Sequence, residues 1–290
     1  MLTLLNVMIW AWHKYHQRPF IIAPVRSLPT EDDVPLLKHP SIFGVIITYE
    51  QEKHPNAETI KQITDRVKAI NPSLKICIDH EGGKITRFKE TTQTPFLGTY
   101  LDQHPPDKKA SAARHLGSKV GKLLKRIGID MLLGPVVDLR CIQSPLKSRA
   151  ISHKPEEVIA YSKAYIEGVS EHGIETCIKH YPGLGEAIND THQNMAIIPL
   201  NQKSIAIFEA LSKGHPKAVM LSHAVCPEIS PHPTSLSNIA LPFTHIITDD
   251  ITMGALDTYG SISDRLNKIQ KNGTIAICMD RDAIRDFITK

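Results

Sequence analysis

A closed (β/α)8 barrel is the fold this sequence predicts, and three observations carry the prediction. Eight short apolar runs are spaced along the chain, β-branched-rich and nearly continuous rather than alternating. Strands buried on both faces of a parallel sheet read this way. Amphipathic segments of helical period separate several of the runs, the alternation expected of βα units. The length of 290 residues, 41% of them hydrophobic, suits one barrel closing around one core. An open, doubly wound sheet competes, but it normally uses fewer strands.

The first runs are "PFIIAPV" at 19–25 and "FGVIITY" at 43–49. A helical pattern over 56–70 follows, with Ile60, Ile63, Val67 and Ile70 on one stripe. "LKICID" at 74–79 is the third strand, a helix is expected over 107–128, and "MLLGPVVDL" at 131–139 is the fourth strand. The next helix spans 152–173, with Ser152 as expected N-cap, Pro155 in the first turn and Gly173 at its end. "ETCIKH" at 175–180, "KAVMLSH" at 217–223, "HIITDD" at 245–250 and "TIAICMD" at 274–280 complete the eight. Little chain remains after the last, so the final helix, "RDAIRDFITK", must be short. Residues 19–290 are therefore assigned to one barrel domain and 1–18 to an N-terminal extension.

Composition narrows the function. Basic and acidic residues nearly balance, 34 against 30, with no dense Lys/Arg stripe interleaved with aromatics, so nucleic acid is not the expected partner. Five widely spaced cysteines, none in a C-x-x-C pair, read as buried free thiols of a reducing compartment. The apolar stretch near the N-terminus is about a dozen residues long, short of the ~20 a membrane span needs. It also lacks a basic leader and a small-x-small cleavage site. A cytoplasmic protein without a membrane span is expected.

The strand exits carry the chemistry. Asp79, Asp138, Lys179 with His180, His223, and Asp249 with Asp250 all follow apolar runs. In a barrel such positions share the C-terminal rim, where active sites are built. One polar exit is an ordinary loop cap, but five on one rim describe a site. After Asp79, the glycine pair of "DHEGGKITRF" permits a sharp turn, and Arg87 can fold back toward Asp79. Together they could clasp vicinal hydroxyls, the carboxylate accepting and the guanidinium donating. Asp190 and His192 share a face if their loop is extended, so the carboxylate can orient the imidazole as a proton shuttle. Metal is the rival use of Asp79, His80, Glu81, His180, Asp190, His192 and Asp249, but no H-x-H or H-E-x-x-H spacing supports it.

Longer strings then converge on one family. "IDHEGGKITRF" is similar to the D-x-E-G-G-x-x-x-R-F segment of glycoside hydrolase family 3. "KHYPGLG" followed by "DTH" resembles K-H-F-P-G-H-G and D-S-H of its β-N-acetylhexosaminidase branch, and "ITDDITMGAL" resembles S-D-D-L-x-M-x-A. "GPVVDL", "PTSLS" and the stretch from Glu156 to His180 fit in order, so the resemblance runs from about Phe20 to Asp280. It implies a retaining exo-β-N-acetylglucosaminidase of peptidoglycan recycling, a single-domain barrel needing neither metal nor organic cofactor. The implied nucleophile is Asp249; the implied acid/base is His192, oriented by Asp190. Asp79, Arg87, Arg149, Lys179 and His180 would bind the terminal sugar of a muropeptide or other small carbohydrate. The protein would act as a monomer.

The chain departs from the pattern in places. Leu184 stands where the family has a second histidine, "RAI" replaces R-S-F, and Lys84 replaces an arginine. Leu184 is expected to loosen the anchoring of its loop, and the short tail to weaken barrel closure. Three alternatives stay open: transfer to phosphate instead of water, a sugar-binding barrel without turnover, and a metal-dependent barrel hydrolase.

Overall fold

The computed structural model describes residues 18–49, 55–87, 94–142, 144, 146–187, 195–214 and 216–290. Eight parallel strands close into a barrel in sequence order. They are β1 (Ile21–Val25), β2 (Ile42–Ile47), β3 (Lys75–Ile78), β4 (Met131–Leu132), β5 (Glu175–Tyr181), β6 (Ala218–Leu221), β7 (His245–Asp250) and β8 (Ile275–Ile277). Closure rests on β1 against β8, with Ile21 opposite Ala276 and Ile22 opposite Ile277. The short C-terminal tail therefore does not leave the barrel open.

The helices follow from local sequence signals. They are α1 (Val34–Lys38), α2 (Ala57–Ile70), α3 (Leu97–Leu101), α4 (Lys109–Arg126), α5 (Pro155–Ser170), α6 (Gln202–Ser212), α7 (Ile262–Asn272) and α8 (Arg281–Ile288). Asn56 caps α2 by accepting from the Thr59 N–H at 2.8 Å, and Asp280 caps α8 by accepting from Asp282 and Ala283. Ile60, Ile63 and Val67 of α2 are buried against the barrel, each contributing about 1.5–3 kcal/mol over an exposed position. Between α4 and α5, a Cβ at Gly117 would lie 2.2 Å from the Tyr165 carbonyl oxygen, so only glycine permits that close crossing.

Two expectations are corrected. Ser152 is not the N-cap of α5. That place is Lys154, while the Ser152 hydroxyl donates to Glu157 Oε2 at 2.6 Å and accepts from the Lys154 N–H. The run 131–139 gives only a two-residue strand, because Pro135 brings no N–H to the ladder. Pairing resumes as a single bridge between Val136 and Lys179. Inside the barrel, Ile22, Cys77, Met131, Cys177, Met220 and Ile247 belong to a compact apolar core beneath the rim. Among the described residues no helix is long and apolar enough to cross a membrane.

Candidate active site

The chain leaves β3 through Asp79 and turns at once. Gly82 and Gly83 have φ of +90° and +54°, and a Cβ at Gly82 would sit 2.3 Å from the Pro95 oxygen. Only glycine fits this turn without strain. It returns Arg87 to Asp79, with Nη2 3.3 Å from Oδ2. The same turn buries Glu81, whose side chain is 3% exposed. Arg149 grips that carboxylate with two donors, Nε to Oε2 at 2.8 Å and Nη2 to Oε1 at 2.9 Å.

Lys179 of β5 links these groups. Its Nζ donates to Asp79 Oδ1 at 2.7 Å and lies 2.7 Å from Glu81 Oε1. Burial works against the ammonium, but Asp79 and Glu81 outweigh it and raise the lysine pKa. Burial likewise opposes the Glu81 charge, yet Lys179 and Arg149 hold its carboxyl well below the usual range. Three cations (Arg87, Arg149, Lys179) thus surround two anions (Asp79, Glu81) at the mouth of the barrel.

Beside them, Asp138 is completely buried and organises the next exit. One oxygen lies 2.8 Å from His180 Nδ1, and the other accepts from the Leu184 N–H at 2.7 Å. With Nδ1–H donated to the carboxylate, Nε2 is the His180 nitrogen left for a ligand. The Lys179–His180 and Tyr181–Pro182 peptide bonds are both cis. Leu184 itself is buried in a small apolar cluster with Leu146, Ala187, Ala196, Ile198 and Cys226. The described start of its loop, through Ala187, is held by that packing and by Asp138.

Across the mouth, β7 ends in Asp249 and Asp250, which differ sharply. Asp250 is occupied: Oδ1 accepts from the Thr252 and Met279 N–H groups and Oδ2 from the Thr252 hydroxyl at 2.6 Å. Burial raises its pKa. Asp249 accepts only the Asp250 N–H on Oδ1, at 2.9 Å, and its Oδ2 has no hydrogen-bond partner among the described residues. Burial would raise this carboxyl too, but His223 and His180, whenever their rings carry a proton, together with the Asp250 N–H and Lys179 outweigh it and hold it below the usual aspartate range. His223 is buried between the Ser235 hydroxyl and the Asp250 carbonyl, both at 2.7 Å. One acceptor and one donor satisfy a neutral imidazole, and burial pushes its pKa down accordingly.

These exits surround one cavity of about 480 Å³, within the size range of small-molecule sites. Its walls include Asp79, Arg87, Arg149, Lys179, His180 and Asp249, six of the eight site residues named from sequence. Ile46, Leu133, Met220 and Ile277 add apolar lining. The other two, Asp190 and His192, lie outside the described residues. Sequence reasoning listed Glu81 only as a metal candidate, and Asp138 and His223 only as strand exits. Their partners are 68, 42 and 27 residues away, so no local spacing reveals those roles. The described residues contain no cluster of three or more His, Cys, Asp or Glu placed to hold a metal ion.

Comparison with known proteins agrees with this picture. Residues 21–285 match the N-terminal domain model of glycosyl hydrolase family 3. The beta-hexosaminidase of Nitrosomonas eutropha is 30% identical over 93% of this chain and 83% of its own length. That of Neisseria meningitidis strain FAM18 is 31% identical over 81% of this chain and 70% of its own. Among solved structures, NagZ from Neisseria gonorrhoeae in complex with N-trifluoroacetyl-D-glucosamine superposes with a TM-score of 0.81. It is 29% identical in sequence, with 93% of this chain and 84% of that one covered.

Proposed function

The chain belongs to glycosyl hydrolase family 3 and is a glycoside hydrolase; from that premise we propose that it is a retaining exo-β-N-acetylglucosaminidase acting on muropeptides from peptidoglycan. The observation that carries the reading is Asp249, an ionised carboxylate with one unengaged oxygen, facing the Asp79–Lys179–Arg87 cluster and His180 across a cavity. The relatives' beta-hexosaminidase names and the N-acylated glucosamine bound to the Neisseria protein supply the sugar class.

In this reading, the terminal N-acetylglucosamine exchanges hydrogen bonds with Asp79, Arg87, Arg149, Lys179 and His180. Asp249 Oδ2 attacks the anomeric carbon as the glycosidic C–O bond breaks, and His192, held by Asp190, protonates the departing oxygen. The neutral histidine then takes a proton from water. The resulting hydroxide attacks the same carbon, the sugar leaves with retained configuration, and Asp249 is restored. No metal or organic cofactor enters any step. A monomer working in the cytoplasm completes the proposal.

Release of nitrophenol from its β-N-acetylglucosaminide tests it. Wild type should turn over, Asp249→Ala should lose at least three orders of magnitude in kcat, and His192→Ala should lose most with poor leaving groups. Wild-type activity in Asp249→Ala would overturn the assignment.

A further inference from the structure

Lys147 is the residue the mechanism leaves unused. It lies in the turn Lys147–Arg149, with φ of +42°, the only non-glycine residue at positive φ among the described residues. Side chains other than Asn and Asp seldom adopt this conformation, and it persists where neighbours over-determine it, often at ligand sites. Here the neighbours are Leu146, buried just before it, and Arg149, two residues on and clamped by Glu81. Lys147 and Ser148 line the sugar cavity and also a second depression on the rim, walled by Thr99, Arg140, Ile142 and His153.

Charge separates this depression from the rest of the rim. Its acidic residue, Asp102, is paired with Arg140 at 3.1 Å and approached by Lys109 at 3.9 Å. Lys147 makes no ion pair with any described residue and is exposed. Ile142, 98% exposed, adds an apolar wall. The rim depression on the Met279 side offers no equivalent: its arginines share their surface with Asp280 and Asp282. A leaving group continuing from the sugar cavity into the Lys147 depression meets an ammonium that no described carboxylate pairs with, beside apolar surface.

We infer that Lys147 is a specificity-determining residue that pairs with a carboxylate on the leaving group, so the enzyme prefers anionic over neutral aglycones. This rests on the glucosaminidase reading and adds the charge of the group next to the scissile bond.

Two disaccharide derivatives test it: N-acetylglucosamine β-1,4-linked to N-acetylmuramoyl-L-alanine, and the same compound with its alanine carboxylate capped as the methylamide. The leaving oxygen is the same in both, so their ratio of kcat/KM isolates the charge. In wild type the acid should be preferred; Lys147→Gln should lower the ratio about fivefold, what one exposed ion pair supplies at most. Lys147→Gly, which also relieves the backbone, should match it, and added salt should erode the wild-type preference. An unchanged ratio in Lys147→Gln, or a preference kept by Lys147→Gly, would overturn the Lys147 assignment alone. Wild type that cleaves neither disaccharide would overturn the underlying function as well.

Discussion

Replacing Glu81 with glutamine removes one negative charge from the centre of the site while keeping the shape. The structure sets the magnitude. Glu81 is almost fully buried and answers two cations, Lys179 at 2.7 Å and Arg149 through two bonds. Breaking a buried pair on one side costs about 3–5 kcal/mol. Lys179 keeps Asp79, and the glutamine carbonyl still accepts one bond, so about 2–3 kcal/mol is expected. For a barrel of this size that is a fall in Tm of about 4–6 °C. The pH dependence is specific. Folded Glu81 ionises well below 4.5, the ordinary value of the unfolded chain, so its stabilisation is complete above that pH. As pH falls through 4.5 the unfolded state takes up the proton first, and the stabilisation drains away toward the lower folded value. Urea unfolding of wild type and Glu81→Gln should therefore show a constant gap from pH 7 to about 5 that narrows below it. Activity should fall on the order of tenfold to a hundredfold as Lys179 and Arg149 lose register. A variant melting within about 1 °C of wild type, with a gap indifferent to pH, would refute the reasoning.

Asp138→Asn leaves His180 and the Leu184 N–H competing for one carbonyl oxygen; about 1–3 kcal/mol and at least a tenfold loss in kcat/KM are expected, by thermal unfolding and nitrophenol release. Leu184→Ala empties part of a small apolar cluster, so the lower half of the usual range, about 2–3 kcal/mol, should appear in urea unfolding.

The barrel was legible because its information is local. The runs that hold β1 and β2 are long enough to show nearly continuous burial, and caps such as Asn56 sit beside the helices they begin. The fourth strand was overread because apolar character persists past Gly134–Pro135 although ladder pairing does not. Strand exits were legible as a group, since topology alone sends them to one rim. What they do there was not: Lys179 meets Asp79 across 100 residues, and no spacing rule announces that Glu81 is the counter-ion of both Lys179 and Arg149. Leu184 read as a defect because its motif position suggested a polar role, while its packing partners lie on three other stretches of chain.

Mapping a trapped intermediate tests the central claim most directly. Wild type is incubated with a 5-fluoro N-acetylglucosaminyl donor whose second step is slow, quenched in acid, digested and sequenced by mass spectrometry. The account predicts a peptide containing residues 245–253 heavier by one fluorinated sugar, with the ester on Asp249 and none formed in Asp249→Ala. An adduct on Asp250 would contradict it. So would retained stereochemistry with no adduct at all, which would hand the nucleophile's role to the substrate's own acetamido group.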